Sequence, residues 1–128
     1  MKLLLDTHAL VWSGFASPKL GANAVALIRD KSNQKYFSAA SIWEIAIKAR
    51  LGRPDFRVEA GLLRNGLLAN GYIELVMTSA HAITAAKLPF AHKDPFDRML
   101  LAQALEEGLT LLSADDALIL FGPPVLAI

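Results

Sequence analysis

The sequence predicts an α/β fold with a mostly parallel sheet of four or five strands covered by helices on both faces. Three observations lead there. Short runs that are apolar throughout alternate with longer stretches of helical periodicity. Turn-forming Gly, Pro and Asn residues separate the two kinds of segment. In a chain of 128 residues, 54% hydrophobic content and 20% charged residues suit one compact, self-folding domain spanning 1–128.

Leu3-Leu4-Leu5, bounded by Lys2 and Asp6, reads as a buried first strand. Tyr36 to Ala39 follows the polar run Lys31 to Lys35 and reads as a second, and Ile73 to Val76, entered through Asn70-Gly71, as a third. Leu109 to Ser113 is a fourth, after Gly108; Pro124 to Ala127 is a fifth, where proline suits a sheet edge. Between them, helices are predicted over Ala22 to Lys31, Ser41 to Leu51, Val58 to Ala69, Ser79 to Leu88 and Asp94 to Glu107. The last is the clearest, with Pro95 at its first position, acids in its first turn and Gly108 after it.

Composition narrows the chemistry. With no cysteine there are no disulfides, thiolate nucleophiles or thiolate metal sites, leaving carboxylate, histidine and hydroxyl groups. Asp6 and His8 interrupt the apolar start too soon for a signal peptide, and no run approaches the length of a membrane span, so a cytoplasmic protein without membrane partners is expected. A net charge of +1 gives no general attraction to nucleic acid. Locally, Lys48, Arg50, Arg53, Arg57 and Arg64 stand against only Asp55 and Glu59, a pattern that a solvated surface also explains.

In a parallel sheet the site lies beyond the carboxyl ends of the strands. Acids fall at those junctions: Asp6 after the first strand, Glu44 in the first turn of the helix after the second, Asp94 and Asp97 opening the helix before the fourth, and Asp115-Asp116 after it. Singly, most have a capping explanation. Ser41-Ile42-Trp43-Glu44 has capping-box spacing, and Asp94-Pro95-Phe96-Asp97 and Ser113-Ala114-Asp115-Asp116 have the form of helix starts. Asp6 is the exception, having less to cap. Jointly they select carboxylates where Ser, Thr or Asn would cap as well. Gathered carboxylates raise one another's pKa unless a cation neutralises them, and oxygen-only ligation points to Mg²⁺ or Mn²⁺ and phosphodiester hydrolysis.

Four blocks carry a specific resemblance: Leu4-Leu5-Asp6-Thr7-His8-Ala9-Leu10-Val11-Trp12, Ser41-Ile42-Trp43-Glu44-Ile45-Ala46-Ile47-Lys48, His92 to Ala104, and Leu112-Ser113-Ala114-Asp115. In order and over nearly the whole chain, the sequence resembles the PIN-domain nucleases, most closely the VapC toxins of type II toxin–antitoxin pairs. The resemblance implies a three-layer α/β/α fold and a metal-dependent endoribonuclease whose catalytic and metal-binding acids are Asp6, Glu44, Asp97 and Asp115. Asp97 fits the family pattern better than Asp94, and Asp115 better than Asp116; Asp94 and Asp116 remain supporting candidates. Asp6 and Asp97 would bind Mg²⁺ or Mn²⁺ most directly, with Asp115 and Glu44 beside the ion or holding its waters. Thr7 would orient Asp6 or a water, and His8 would donate a hydrogen bond nearby. Lys48, Arg50, Arg53 and Arg98 are candidates to hold the RNA backbone.

The family also implies an RNA substrate, a cognate antitoxin and a homodimer. Trp12, Trp43 and Phe96 are expected in the core, and His81 and His92 outside any ligand set. Two other enzyme or signalling classes fit less well, because phosphatases of the haloacid dehalogenase kind want an acid where His8 stands and receiver domains want paired acids at Asp6. The alternative to catalysis is a non-catalytic RNA- or protein-binding module of the same fold.

Overall fold

The computed structural model describes residues 1–89 and 93–128; His92 therefore lies outside the described residues. Five strands form one all-parallel sheet in the order β3-β2-β1-β4-β5: β1 (Lys2–Leu5), β2 (Gln34–Ser38), β3 (Ile73–Leu75), β4 (Thr110–Ser113) and β5 (Val125–Ala127). β5 lies at an edge, as its proline suggested. Seven helices are described: α1 (Thr7–Gly14), α2 (Ala22–Arg29), α3 (Ala39–Arg50), α4 (Ala60–Ala69), α5 (Ser79–Lys87), α6 (Pro95–Glu107) and α7 (Asp116–Phe121), with a 3₁₀ turn at Pro54–Phe56. None of the described helices is long and apolar enough to cross a membrane.

The period of two along each strand divides the apolar residues between two layers. Leu3, Leu5, Phe37 and Leu112 pack with Leu10, Ile45, Phe56, Leu63 and Leu67 from α1, α3, the 3₁₀ turn and α4. Leu4 and Leu111 face the other way, onto Leu100, Leu101 and Ala104 of α6 and Leu118 of α7. The result is the three-layer α/β/α arrangement expected from the sequence. α6 ends as predicted, with Gly108 in the left-handed region at φ 66°, where a side chain would be strained.

Several boundaries differ from the sequence reading. α1, the 3₁₀ turn and α7 are additions. α1 carries Thr7, Val11 and Trp12, poor helix formers, and holds its shape by packing and by its cap. The second strand ends at Ser38 and α3 begins at Ala39, two residues before the predicted start. Ser38 is the cap, accepting from the Ala40 N–H at 3.0 Å, so Ser41 and Glu44 lie inside the helix and form no capping box.

Ser38 also donates to Gln103 Oε1 at 2.6 Å, tying the carboxyl end of β2 to the middle of α6. Both side chains are fully buried, so Ser38→Ala removes a cap and orphans the amide oxygen of Gln103. The expected cost is about 2–4 kcal/mol. Urea denaturation of the two proteins measures it, and a loss below about 0.5 kcal/mol contradicts this account.

Candidate active site

The chain winds from β1 to β2 to β3 on one side, then returns to lay β4 on the other side of β1. The reversal opens a crevice at the carboxyl ends of β1 and β4, where open α/β sheets place their sites. Asp6 closes β1 there. Its backbone N–H donates to Leu112 O at 3.0 Å, extending the β1–β4 ladder by one step. One carboxylate oxygen accepts from the Ala9 N–H at 2.9 Å and the other from Ser113 Oγ at 2.6 Å. Asp6 is thus the N-cap of α1, contrary to the expectation that it had little to cap.

Burial leaves Asp6 5% exposed and pushes its pKa above the ordinary aspartate range. The bonds from Ser113 and Ala9 and the field of His8 oppose that rise, whereas the charge of Asp115 adds to it. Ser113 connects the two acids, donating to Asp6 and accepting from the Asp115 N–H at 2.9 Å. Asp115 caps α7 by accepting from the Leu118 N–H at 3.0 Å. Asp6, His8, Trp12, Ala114 and Asp115 line a small open cavity of about 220 Å³. Asp116 is exposed in the first turn of α7 and does not line it.

Glu44 is buried beside this crevice and its two oxygens are engaged. Thr7 Oγ1 donates to Oε1 at 2.6 Å and lies 3.0 Å from Ser41 Oγ, and Lys48 Nζ donates to Oε2 at 2.5 Å. Thr7 thus donates to Glu44, where the sequence suggested that it orients Asp6 or a water. Lys48 is correspondingly committed to Glu44, with its ammonium 4.9 Å from the centre of the Phe56 ring.

α6 runs antiparallel to the strands before entering β4. Gln103 sits at the level of the carboxyl end of β2 through its bond from Ser38. Asp97, six residues earlier, lies about 9 Å further along the helix axis and so beyond the strand ends. It is half-buried in the first turn. Asp94 caps the same helix, its Oδ1 accepting from the Phe96 N–H at 2.9 Å and the Asp97 N–H at 3.4 Å.

The candidate cations divide in the same manner. Arg98 donates through Nε and Nη2 to Ala85 O, at 3.1 and 2.8 Å, and through Nη2 to Leu88 O at 3.0 Å. It ties α6 to the end of α5, a structural use for a residue that the sequence offered as one candidate to hold the RNA backbone. Arg50 and Arg53 are exposed, Arg53 lying 3.9 Å from Asp55. His8 Nε2 meets Asp55 Oδ2 at 3.2 Å, between the rings of Trp12 and Phe56. Asp55 and Ser113 were not singled out as site residues; the Ser-x-Asp spacing marked Ser113, but nothing local marks Asp55. His81 is remote, accepting from the Thr78 N–H at 3.1 Å and meeting Glu107 at 3.0 Å.

Among the described residues no three His, Asp or Glu side chains converge so as to hold a metal ion unaided. A larger groove, of about 890 Å³, lies between the end of α1 and α4 and contains none of the predicted acids. The small cavity is the candidate site because Asp6 and Asp115 both line it.

A carboxyl whose folded-state pKa is raised adds stability only while protonated, and loses that contribution as pH rises through the folded-state value. Ionised Asp6 therefore weighs against the fold near neutral pH. Asp6→Asn is expected to raise the unfolding midpoint by several degrees there, in chelator. The gain should vanish as pH falls below about 3.9, the ordinary aspartate value. Melting curves across pH decide the matter, and a variant that melts below the native protein at neutral pH contradicts it.

With this geometry in place, comparison with known proteins is direct. The family model of the PIN domain matches residues 3–121. No curated protein matches the chain in sequence. Among solved structures, VapBC2 from Rickettsia felis, bound to a DNA fragment from its promoter, is similar at TM-score 0.68 and 14% identity, covering 100% of this chain and 98% of that one. VapC20 from Mycobacterium tuberculosis, described as a Sarcin-Ricin loop cleaving toxin, gives 0.67 at 16% identity, over 94% and 95%. FitAcB from Neisseria gonorrhoeae gives 0.59 at 21%, over 98% and 96%. At these identities the structural likenesses speak to the fold. Together with the match over most of its length, the parallel sheet and the acidic crevice at its switch point, they establish that the chain belongs to the PIN domain family.

Proposed function

We propose that this protein is a metal-dependent endoribonuclease and the toxin of a toxin–antitoxin pair. The observation that carries the reading is the buried carboxylate of Asp6 at the β1–β4 switch, joined through Ser113 to Asp115 on one cavity. A buried acid with a raised pKa, beside a second, half-buried acid, forms a site that a cation would relieve. Mg²⁺ and Mn²⁺ favour hard oxygen donors, and Mg²⁺ in particular keeps several waters on one or two carboxylates, so a site short of a closed protein cage suits them.

Asp6 and Asp115 would hold the ion, with Asp97 above the strand ends and Glu44 beside them. When bound, such an ion acidifies water and offsets the charge that builds on the phosphoryl oxygens. The chain's own residues do the rest. Ser113 holds the Asp6 carboxylate and the backbone of Asp115, and Thr7 and Lys48 hold Glu44 in one orientation. The α1 N-terminus and the Ser113 hydroxyl oppose the rise that burial gives the Asp6 pKa. With Lys48 and Arg98 engaged elsewhere, exposed Arg50 and Arg53 are the candidates from the original set to attract the RNA backbone.

The partner reading rests on the similar structures. VapBC2 of Rickettsia felis and a Klebsiella pneumoniae protein at TM-score 0.68 are described as complexes of toxin with antitoxin or by the paired name. A cognate antitoxin that covers the crevice and a homodimer, both in the cytoplasm, belong to the same proposal.

Purified protein is expected to cut structured RNAs with Mn²⁺ or Mg²⁺ and not with EDTA, and Asp6→Ala to reduce cutting to background. Thr7→Val, which frees Glu44 without touching the cavity acids, should retain the fold and lose about 10- to 100-fold in rate. Gel assays of a panel of RNAs check both. Metal-independent cutting, or full activity in Asp6→Ala, overturns the assignment; RNA binding without cutting at any metal identifies the non-catalytic module instead.

A further inference from the structure

Trp43 was expected in the core, yet it is 58% exposed. The helix explains why. On α3, Ser41, Glu44 and Ile45 are buried, and the exposed positions are Trp43, Ala46 and Arg50. These form one outward stripe at helical spacing. A single exposed apolar residue is ordinary, but this one is held in place. Phe96, from the first turn of α6, meets the indole at 5.5 Å between centroids with the ring planes 75° apart. An edge-on contact of this kind fixes the indole's attitude, and at least one indole face is left uncovered by Phe96.

The position of the pair is informative. Trp43 precedes Glu44 and Phe96 precedes Asp97, so the aromatic contact joins the two helices at the points where each presents an acid of the proposed site. From Trp43 the stripe passes the small side chain of Ala46 and reaches Arg50, about 10 Å along the helix. An uncovered aromatic face followed by a cation is the arrangement that proteins use for single-stranded nucleic acid, where bases stack on rings and phosphates meet guanidinium groups.

We propose that the Trp43 indole, braced by Phe96, is the platform on which an unpaired nucleobase of the RNA substrate stacks beside the carboxylate site, with Arg50 receiving the adjoining backbone. The inference rests on the ribonuclease reading and sharpens it. The substrate segment is single-stranded at the point of engagement, because a base within a duplex offers no free face. Every base has such a face, so the platform selects for strand state more than for sequence.

Fluorescence anisotropy with a labelled single-stranded RNA of roughly 12 nucleotides, measured in EDTA so that nothing is cut, tests it. A duplex of the same sequence and the molar mass from light scattering serve as companions. Trp43→Ala should weaken single-strand binding by about 5- to 150-fold, while Trp43→Phe stays within about threefold of the native protein. Phe96→Leu should fall between them, with duplex affinity and molar mass unchanged throughout. Unchanged single-strand affinity in Trp43→Ala overturns the platform, as does an equal loss for duplex. A smaller molar mass in that variant also overturns it, because the indole then covers another protein chain. If the native protein binds and cuts RNA and Trp43→Ala does so equally well, only the platform falls; if the native protein binds neither RNA, the ribonuclease reading falls with it.

Discussion

A carboxylate held out of water at the end of the central strand organises this molecule. Asp6 follows a strand paired on both sides, and its oxygens accept from a helix N-terminus and from a serine on the neighbouring strand. The first bond starts α1, the second aligns β4 with β1, and the position leaves the group desolvated with its pKa raised. Burial of a charge without a paired cation costs stability. The surrounding bonds reduce that cost without removing it, the condition under which a group stays available to a ligand or substrate.

The acids around the crevice are balanced in different ways. Glu44 has an ammonium and a hydroxyl, both within its own layer of helices. Asp55 has the His8 ring, whose hydrogen bond holds its carboxyl below the ordinary range, although so exposed a pair contributes little to stability. Asp6 has dipoles and a hydroxyl, together with the more distant field of His8. Asp6 is buried, on a cavity it shares with Asp115.

The strands and the junction acids were legible because apolar runs and carboxylates announce themselves locally. Leu3 to Leu5 and Leu109 to Ser113 could hardly be other than buried strands, and acids at their ends followed from the parallel topology. What was not legible depended on partners distant in sequence. Ser41 and Glu44 have the spacing of a capping box, and only the position of Thr7 shows that Glu44 answers to α1 instead. Arg98 resembles a phosphate ligand until the carbonyls of Ala85 and Leu88 are placed beside it. Trp43 reads as core in any window of α3, because the window does not show which side of the helix the sheet lies on. α1 escaped notice because its cap was assigned to chemistry alone, whereas Asp6 serves both.

The bond between Ser113 and Asp6 spans 107 positions of the chain. During synthesis Asp6 is made 107 residues before Ser113, and it lacks that partner until β4 emerges to pair with β1. Contacts so distant in sequence form late and slowly. A nascent or interrupted chain ending before residue 113 would carry Asp6 without the strand that supplies its Ser113 partner. The topology thus leaves the crevice unassembled until β4 has been translated.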